Sequence, residues 1–163
     1  MDQRNIIVCL KDQTLSLRQG NLQLKQWDIS TALNGAGNIS GSGCTPLGHH
    51  YIKAKIGAAA PLGAVFVGRR LTGEVYSSEL LAQFPTRDWI LTRILWLQGK
   101  ESGINRGGNV DSMRRFIYIH GTPDTEPMGV PLSHGCVRMR NADVIELFDQ
   151  IEVGTPVSIV SQS

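Results

Sequence analysis

The residues best suited to covalent chemistry are a histidine and a cysteine in the last third of the chain. His120 lies in the segment FIYIHGT, and Cys136 lies 16 positions later in the segment SHGCVRMRN. A cysteine thiolate is a strong nucleophile, and an imidazole within hydrogen-bond reach can deprotonate the thiol. A helix predicted just after Cys136 would lower the thiol pKa further through the partial positive charge of its N-terminus. We therefore expect an activated cysteine, with a backbone carbonyl orienting the imidazole.

The residues next to this cysteine are suited to stabilise a negatively charged intermediate. The backbone N–H groups of Gly135 and Cys136 are candidate donors to the oxyanion that forms when a thiolate attacks an amide carbonyl. His134 either adds a third donor or braces the turn, and both interpretations stay open. A lone cysteine is usually a small buried residue. Here the neighbouring histidines and the glycine favour catalysis.

The composition favours a single β-rich domain over residues 1–163. Of these residues 41% are hydrophobic and 18% charged, and 18 are glycine, which is typical of loops and close backbone contacts rather than of a helical bundle. The basic and acidic side chains number 16 and 14, and this net charge of +2 is unlike that of a nucleic-acid-binding protein. The most apolar uncharged stretch, residues 56–68, is too short for a membrane span. No cofactor motif is present.

Alternating apolar residues predict the strands that position the histidine and the cysteine. The pattern predicts an opening meander over residues 6–24, with a turn at 19–21, and further strands at residues 51–56, 64–67, 90–97, 116–119 and 157–160. One C-terminal helix is predicted near residues 141–152 with Asn141 as its N-cap, and a short helix near residues 78–83. The predicted architecture is mainly β, a sandwich or barrel with one C-terminal helix.

The cysteine count bears on the cellular location. Cys9, Cys44 and Cys136 cannot all pair with one another, and an odd number favours free thiols in a reducing compartment. The first residues are typical of a strand rather than of a secretory signal. We therefore expect a cytoplasmic location, or a periplasmic one if an export signal has been removed. The sequence specifies no oligomeric state.

The segment HGT followed by SHGCVRM resembles the catalytic motif of the L,D-transpeptidase, or YkuD, domain family. The resemblance also includes the TPLG segment at residues 45–48, the NRGGNVD segment at 105–111 and the tail from Asn141 onward, so it covers nearly the whole chain. It implies a β-rich fold and a cysteine that attacks the bond between the L-centre of a diamino acid and D-Ala in a peptidoglycan stem peptide. D-Ala would leave, and an acyl-enzyme would form.

The same resemblance implies roles for individual residues. Cys136 corresponds to the nucleophile, His120 to the base and then the acid, and the carbonyl of Gly121 to the group that orients the imidazole. The pocket would be shaped by Ser133, His134 and Gly135. Arg138 would either bind a substrate carboxylate or form a structural ion pair, and Tyr118 would pack beside the site or line it. No metal or other cofactor is implied.

The acceptor of the acyl group separates the functional alternatives. With water, the protein would be a cytosolic L,D-carboxypeptidase that trims tetrapeptides to tripeptides in muropeptide recycling, and the expected location favours this hypothesis. With an amine, it would be an L,D-transpeptidase that cross-links stem peptides or exchanges D-amino acids. Its partners would be stem peptides or muropeptides, and either enzyme would be a carbapenem target. A zinc site formed by His120, His134 and Cys136, and a non-catalytic wall-binding module, are weaker alternatives.

Overall fold

A computed structural model describes residues 3–162, which are mainly strand. The strands are β1 (Arg4–Cys9), β2 (Thr14–Gln19), β3 (Leu22–Asp28), β4 (Gly48–Ile56), β5 (Ala64–Val67), β6 (Arg70–Val75), β7 (Ile90–Gly99), β8 (Tyr118–Thr122), β9 (Val137–Arg140) and β10 (Pro156–Val160). The helices are α1 (Ser78–Gln83) and α2 (Asn141–Gln150). The expected mainly β fold with one C-terminal helix is confirmed.

The strands form one sheet that branches at β7. The order along the main path is β3-β2-β1-β10-β4-β7-β5-β6, and β8 also pairs with β7 and holds β9 in parallel on its other side. Ile94 at the branch pairs with Ile56 on β4 and with His120 on β8. The strand that carries the histidine is therefore anchored to the central strand of the sheet.

Helix α2 packs against β8 and β9, the two strands that position the candidate site residues. Its Val144, Leu147 and Phe148 are buried and join a core cluster with Ile119 of β8 and Val137 of β9. Burying each large apolar side chain contributes roughly 1.5–3 kcal/mol to folding. The core thus holds β8 and β9 side by side, and Cys136 immediately precedes β9.

The sequence patterns predicted most elements but not the two short polar strands. The turn at residues 19–21 is present, and α1 begins as expected, because the Ser77 side chain accepts a hydrogen bond from the Leu80 backbone N–H at 3.1 Å. Strands β6 and β9 were not predicted. Strand β8 also extends beyond the predicted 116–119, so His120 lies inside a strand rather than at its end.

Candidate active site

His120 is placed by strand pairing on both sides of β8. It pairs with Ile94 of β7 on one side and with Arg138 of β9 on the other, and its side chain is buried. Its Nδ1 lies 2.6 Å from the carbonyl oxygen of Gly121, so the ring donates Nδ1–H to that carbonyl and keeps Nε2 as the basic nitrogen. The orienting carbonyl that the family resemblance implied is thus in place.

Gly121 must lack a side chain for this arrangement to form. A Cβ there would lie 2.5 Å from the Asn141 Oδ1 and 2.7 Å from the Leu91 carbonyl oxygen. Asn141 is itself held, because the Thr92 hydroxyl donates to its Oδ1 at 2.5 Å and its Nδ2 donates to Asp124 at 3.2 Å. The end of β8 at Gly121 is therefore tightly packed. Its neighbours are the irregular part of β7 at Leu91 and Thr92 and the start of α2 at Asn141.

This network corrects the expected role of Asn141. The helix N-cap is Arg140, which makes no side-chain capping bond, and Asn141 is the first helical residue. The side chain of Asn141 is used instead to connect Thr92 and Asp124. Asparagine at a helix start commonly caps it, and only the packing of β7 against α2 redirects this side chain.

Cys136 lies at the end of a turn that hydrogen bonds keep in shape. The Ser133 hydroxyl donates to the Cys136 carbonyl at 2.6 Å and accepts from the Gly135 N–H at 3.2 Å. Gly135 has a φ of 135°, and a Cβ there would lie 3.2 Å from the Cys44 carbonyl oxygen. The glycine therefore permits a close approach to the loop at Cys44. Its N–H is already bonded, so it is less available to an oxyanion than the sequence analysis expected.

The thiol of Cys136 is bonded to backbone groups on both sides. The Tyr118 N–H donates to Sγ at 3.3 Å, and the S–H donates to the Phe116 carbonyl at 3.3 Å. Burial raises the pKa of Cys136 to about 12, although the Tyr118 N–H acts in the opposite direction. Burial likewise lowers the pKa of His120, whereas its bond to the Gly121 carbonyl raises it. Both effects favour a neutral thiol beside a neutral imidazole.

This electrostatic state differs from the expected preformed thiolate for a structural reason. Cys136 does not lie at a helix N-terminus, because β9 separates it from α2. Within residues 3–162 no hydrogen bond joins the thiol to His120. The cysteine therefore has neither of the two positive partners that were expected to ionise it in the resting protein.

One cavity brings most of the predicted site residues together. It has a volume of about 470 Å³ and is lined by the thiol of Cys136, the imidazole of His120 and four further predicted residues, Tyr118, Ser133, His134 and Arg138. The other two predicted residues, Gly121 and Gly135, are not among its lining residues. The thiol and the imidazole thus open on the same space, as nucleophile and base must.

Arg138 and Tyr118 both have dual roles. Arg138 lies 3.6 Å from the Asp88 carboxylate and also lines the cavity, so the structure contains the ion pair that was one of its two expected roles. Tyr118 is buried in a cluster with Phe66 and Ile94, as expected, while its hydroxyl accepts a bond from Arg69 at 3.0 Å. Both residues combine packing with a polar group at the cavity.

Arg69 and Asp88 also line the cavity, although neither was predicted as a site residue. Arg69 forms a two-residue turn with Gly68, and the glycine that follows the apolar run at residues 64–67 was the available signal. Asp88 lies between α1 and β7, where nothing in the sequence singles it out. Both residues line the cavity from the segment between β5 and β7.

Across residues 3–162 no group of three or more His, Cys, Asp or Glu side chains is arranged to hold a metal ion. None of the helices in this part of the chain has the length and apolar character needed to cross a membrane.

Comparisons with known proteins identify the family of this chain. A sequence profile of the YkuD family, described as the L,D-transpeptidase catalytic domain, matches residues 3–159. YkuD of Bacillus subtilis strain 168, named as an L,D-transpeptidase, is 49% identical over 82 residues, which are 50% of this chain and 48% of that protein. ErfK/SrfK of Escherichia coli strain K12, also named as an L,D-transpeptidase, is 46% identical over 48 residues, which are 29% of this chain and 16% of that protein. These matches span less than half of either relative.

Solved structures share the fold. A mutant of an Enterococcus faecium L,D-transpeptidase superposes with a TM-score of 0.57 at 18% identity, over 98% of this chain and 50% of that one. L,D-transpeptidase 3 of Mycobacterium tuberculosis, in complex with a faropenem-derived adduct, superposes with a TM-score of 0.58 at 13% identity, over 98% of this chain and 61% of that one. Because the family profile matches nearly the whole length, the chain belongs to the YkuD family of L,D-transpeptidase catalytic domains.

Proposed function

We propose that the protein is an L,D-transpeptidase that acts on peptidoglycan stem peptides through an acyl-enzyme on Cys136. The observation that carries this proposal is the single cavity shared by the Cys136 thiol and the His120 imidazole. The imidazole is held by the Gly121 carbonyl and has its basic nitrogen free for a proton. The family membership supplies the substrate class.

The first half-reaction transfers the acyl group to the enzyme. As Sγ attacks the carbonyl carbon of the L-centre, Nε2 of His120 takes the thiol proton, and the C–N bond to D-Ala then breaks. The imidazolium returns that proton to the departing amine of D-Ala. The Cys136 N–H is the proposed main donor to the oxyanion, since Gly135 N–H is bonded to Ser133.

The second half-reaction transfers the acyl group to an amine. A second cavity of about 440 Å³ shares Arg115, Phe116 and His134 with the Cys136 cavity and extends to the loop at Ser40. This space supports an acceptor peptide bound beside the donor. The amine attacks the thioester and gives its proton to His120, and the sulfur leaves and is protonated to the thiol.

The test is a product analysis with a labelled solvent. The purified protein is incubated with a disaccharide tetrapeptide in H₂¹⁸O, with and without excess D-methionine, and the products are identified by mass spectrometry. The proposal predicts a tetrapeptide that ends in D-methionine, and Cys136→Ala, the matched control, forms none. Exchange that survives in Cys136→Ala would contradict the proposal.

The other products distinguish the remaining hypotheses. A tripeptide with one ¹⁸O as the main product, even with D-methionine present, would identify the L,D-carboxypeptidase favoured in the sequence analysis. Saturable binding of the muropeptide without any turnover would identify a wall-binding module. The expected cytoplasmic location stays a prediction, and fractionation of cells that make the protein tests it.

A further inference from the structure

Arg69 occupies a backbone conformation that arginine rarely adopts. It forms a two-residue hairpin turn with Gly68 between β5 and β6, where Val67 pairs with Arg70. Both turn residues have positive φ, 57° at Gly68 and 65° at Arg69. Such turns favour Asn and Gly, because a Cβ is crowded in this region. An arginine in this strained turn indicates that its side chain has a function.

The guanidinium of Arg69 is held over aromatic rings at the edge of the cavity. Its central carbon lies 4.6 Å from the centroid of the Trp96 ring and 5.0 Å from that of Phe116. One of its nitrogens donates to the Tyr118 hydroxyl at 3.0 Å. Stacking on rings orients a guanidinium while leaving its in-plane N–H groups available to an anion.

Among residues 3–162, Arg69 differs from the other two arginines of the cavity in having no carbonyl or carboxylate partner. Arg115 donates to the carbonyls of Gly37 and Cys44, and Arg138 lies beside Asp88. Among residues 3–162 the Arg69 guanidinium bonds to the Tyr118 hydroxyl alone and has no carboxylate within 4.0 Å. An arginine has five N–H donors, so most of those on Arg69 remain for a ligand.

Phe116 connects this arginine to the reactive sulfur. Its φ is also positive, at 57°, the residue is 51% exposed, and its carbonyl accepts a hydrogen bond from the Cys136 thiol. Strained residues of this kind concentrate at ligand sites. Two such residues are in contact here: Arg69 carries the guanidinium, and the carbonyl of Phe116 accepts the hydrogen bond from the Cys136 thiol. A group bound at Arg69 therefore lies in the same cavity as a peptide attacked by Cys136.

We propose that Arg69, oriented by Trp96, Phe116 and Tyr118, binds a free carboxylate of the acyl-donor peptide. This inference rests on the proposed function and names the group by which the site selects its donor. A stem tetrapeptide whose diamino acid carries a second carboxylate offers three such groups: the α-carboxylate of the γ-linked glutamate, the distal carboxylate of the diamino acid and the C-terminal carboxylate. All three match the bidentate geometry of a guanidinium, and the experiment below separates them.

The experiment crosses variants of the enzyme with amidated substrates. The parent tetrapeptide and three versions, each with one carboxylate converted to an amide, are assayed with the wild type, Arg69→Gln and the control Arg70→Gln. Arg70 is exposed on β6 next to Arg69 and lies outside the cavity. We expect Arg69→Gln to lower kcat/KM about 10- to 100-fold through KM. We expect the kcat/KM of Arg70→Gln to stay within about threefold of wild type. The kcat of both variants should also stay within about threefold of wild type.

The decisive comparison is between the loss of kcat/KM caused by Arg69→Gln and the loss caused by amidating one carboxylate of the substrate. For one amidated peptide, the wild type should show the same loss as Arg69→Gln shows with the parent, and Arg69→Gln should lose nothing further. An Arg69→Gln loss that is equal for all four peptides would overturn the inference and indicate a structural role. Wild-type kinetics unaffected by every amidation would also overturn it, without relying on any variant.

Two controls keep folding and function separate from this result. Arg69→Asn, which suits the left-handed turn, repeats the assay if Arg69→Gln has a lowered Tm. Turnover of the parent peptide by the wild type shows that the proposed function holds even when the Arg69 inference fails. No turnover of the parent peptide by the wild type overturns both.

Discussion

The resting state of the Cys136 thiol leads to a quantitative prediction about its reactivity. With a pKa of about 12, the thiol is ionised to about one part in 10⁴ at pH 8, whereas an ordinary cysteine with a pKa near 8.5 is about a quarter ionised. The more basic thiolate is intrinsically more nucleophilic by roughly 25- to 60-fold. Combining the two effects, iodoacetamide should alkylate Cys136 about 50-fold more slowly than it alkylates a cysteine peptide at pH 8.

The pH dependence of this reaction provides the sharper assay. Alkylation at Cys136 is followed by peptide mapping and mass spectrometry, which separates it from Cys9 and Cys44. We expect the logarithm of the rate to rise by about one unit per pH unit up to pH 10 without a plateau. His120→Gln should leave this rate within about threefold of wild type. A plateau with an apparent pKa below 7 that disappears in His120→Gln would refute the reasoning, because it would reveal a resting thiolate–imidazolium pair.

Three further predictions concern positioning, stability and inhibition. Gly121→Ala places a methyl group against Asn141 and Leu91 and should lower the free energy of unfolding by about 1–3 kcal/mol in urea titrations, while reducing turnover more than a stability loss explains; unchanged turnover would argue against the orienting role of this glycine. His50 is fully buried, and burial lowers its pKa to about 4, so the unfolded chain binds a proton more tightly. Its contribution to stability is therefore constant above about pH 6.5 and falls as the pH drops toward 4, by up to about 3 kcal/mol; His50→Gln should remove this pH-dependent part of the free energy of unfolding, the exposed His49→Gln should retain it, and identical pH profiles for wild type and His50→Gln would contradict it. A carbapenem should acylate Cys136 and add its mass to the intact protein, whereas Cys136→Ala should show no adduct.

Most strands and helices were predicted because the residues that specify each of them are neighbours in the sequence. Alternation of Ile6 and Val8 reports a strand with one buried face, and the Ser77 cap reports the start of α1. Strand β9, VRMR, escaped because its alternation of buried Val137 and Met139 with two arginines is only four residues long. Strand β6 escaped because it is an exposed strand interrupted by a glycine.

Six of the eight predicted site residues line the cavity, whereas the electrostatics of the site were not predicted. The motif around His120 and Cys136 is a sequence feature, and the cavity contains both residues. The raised thiol pKa depends on burial, and the carbonyl of Phe116 reaches Sγ only through a left-handed backbone. Arg69 reaches the cavity from a distant hairpin. These features arise from tertiary contacts, which residue spacing does not report.

The most direct measurement of the central claim is to trap the covalent intermediate. The wild-type protein is mixed with the disaccharide tetrapeptide, quenched in acid during turnover and analysed by intact mass and peptide mapping. We expect an adduct with the mass of the donor acyl group without D-Ala, attached to Cys136 and absent from Cys136→Ala. Turnover with no adduct on Cys136, or with the adduct on another residue, would contradict it.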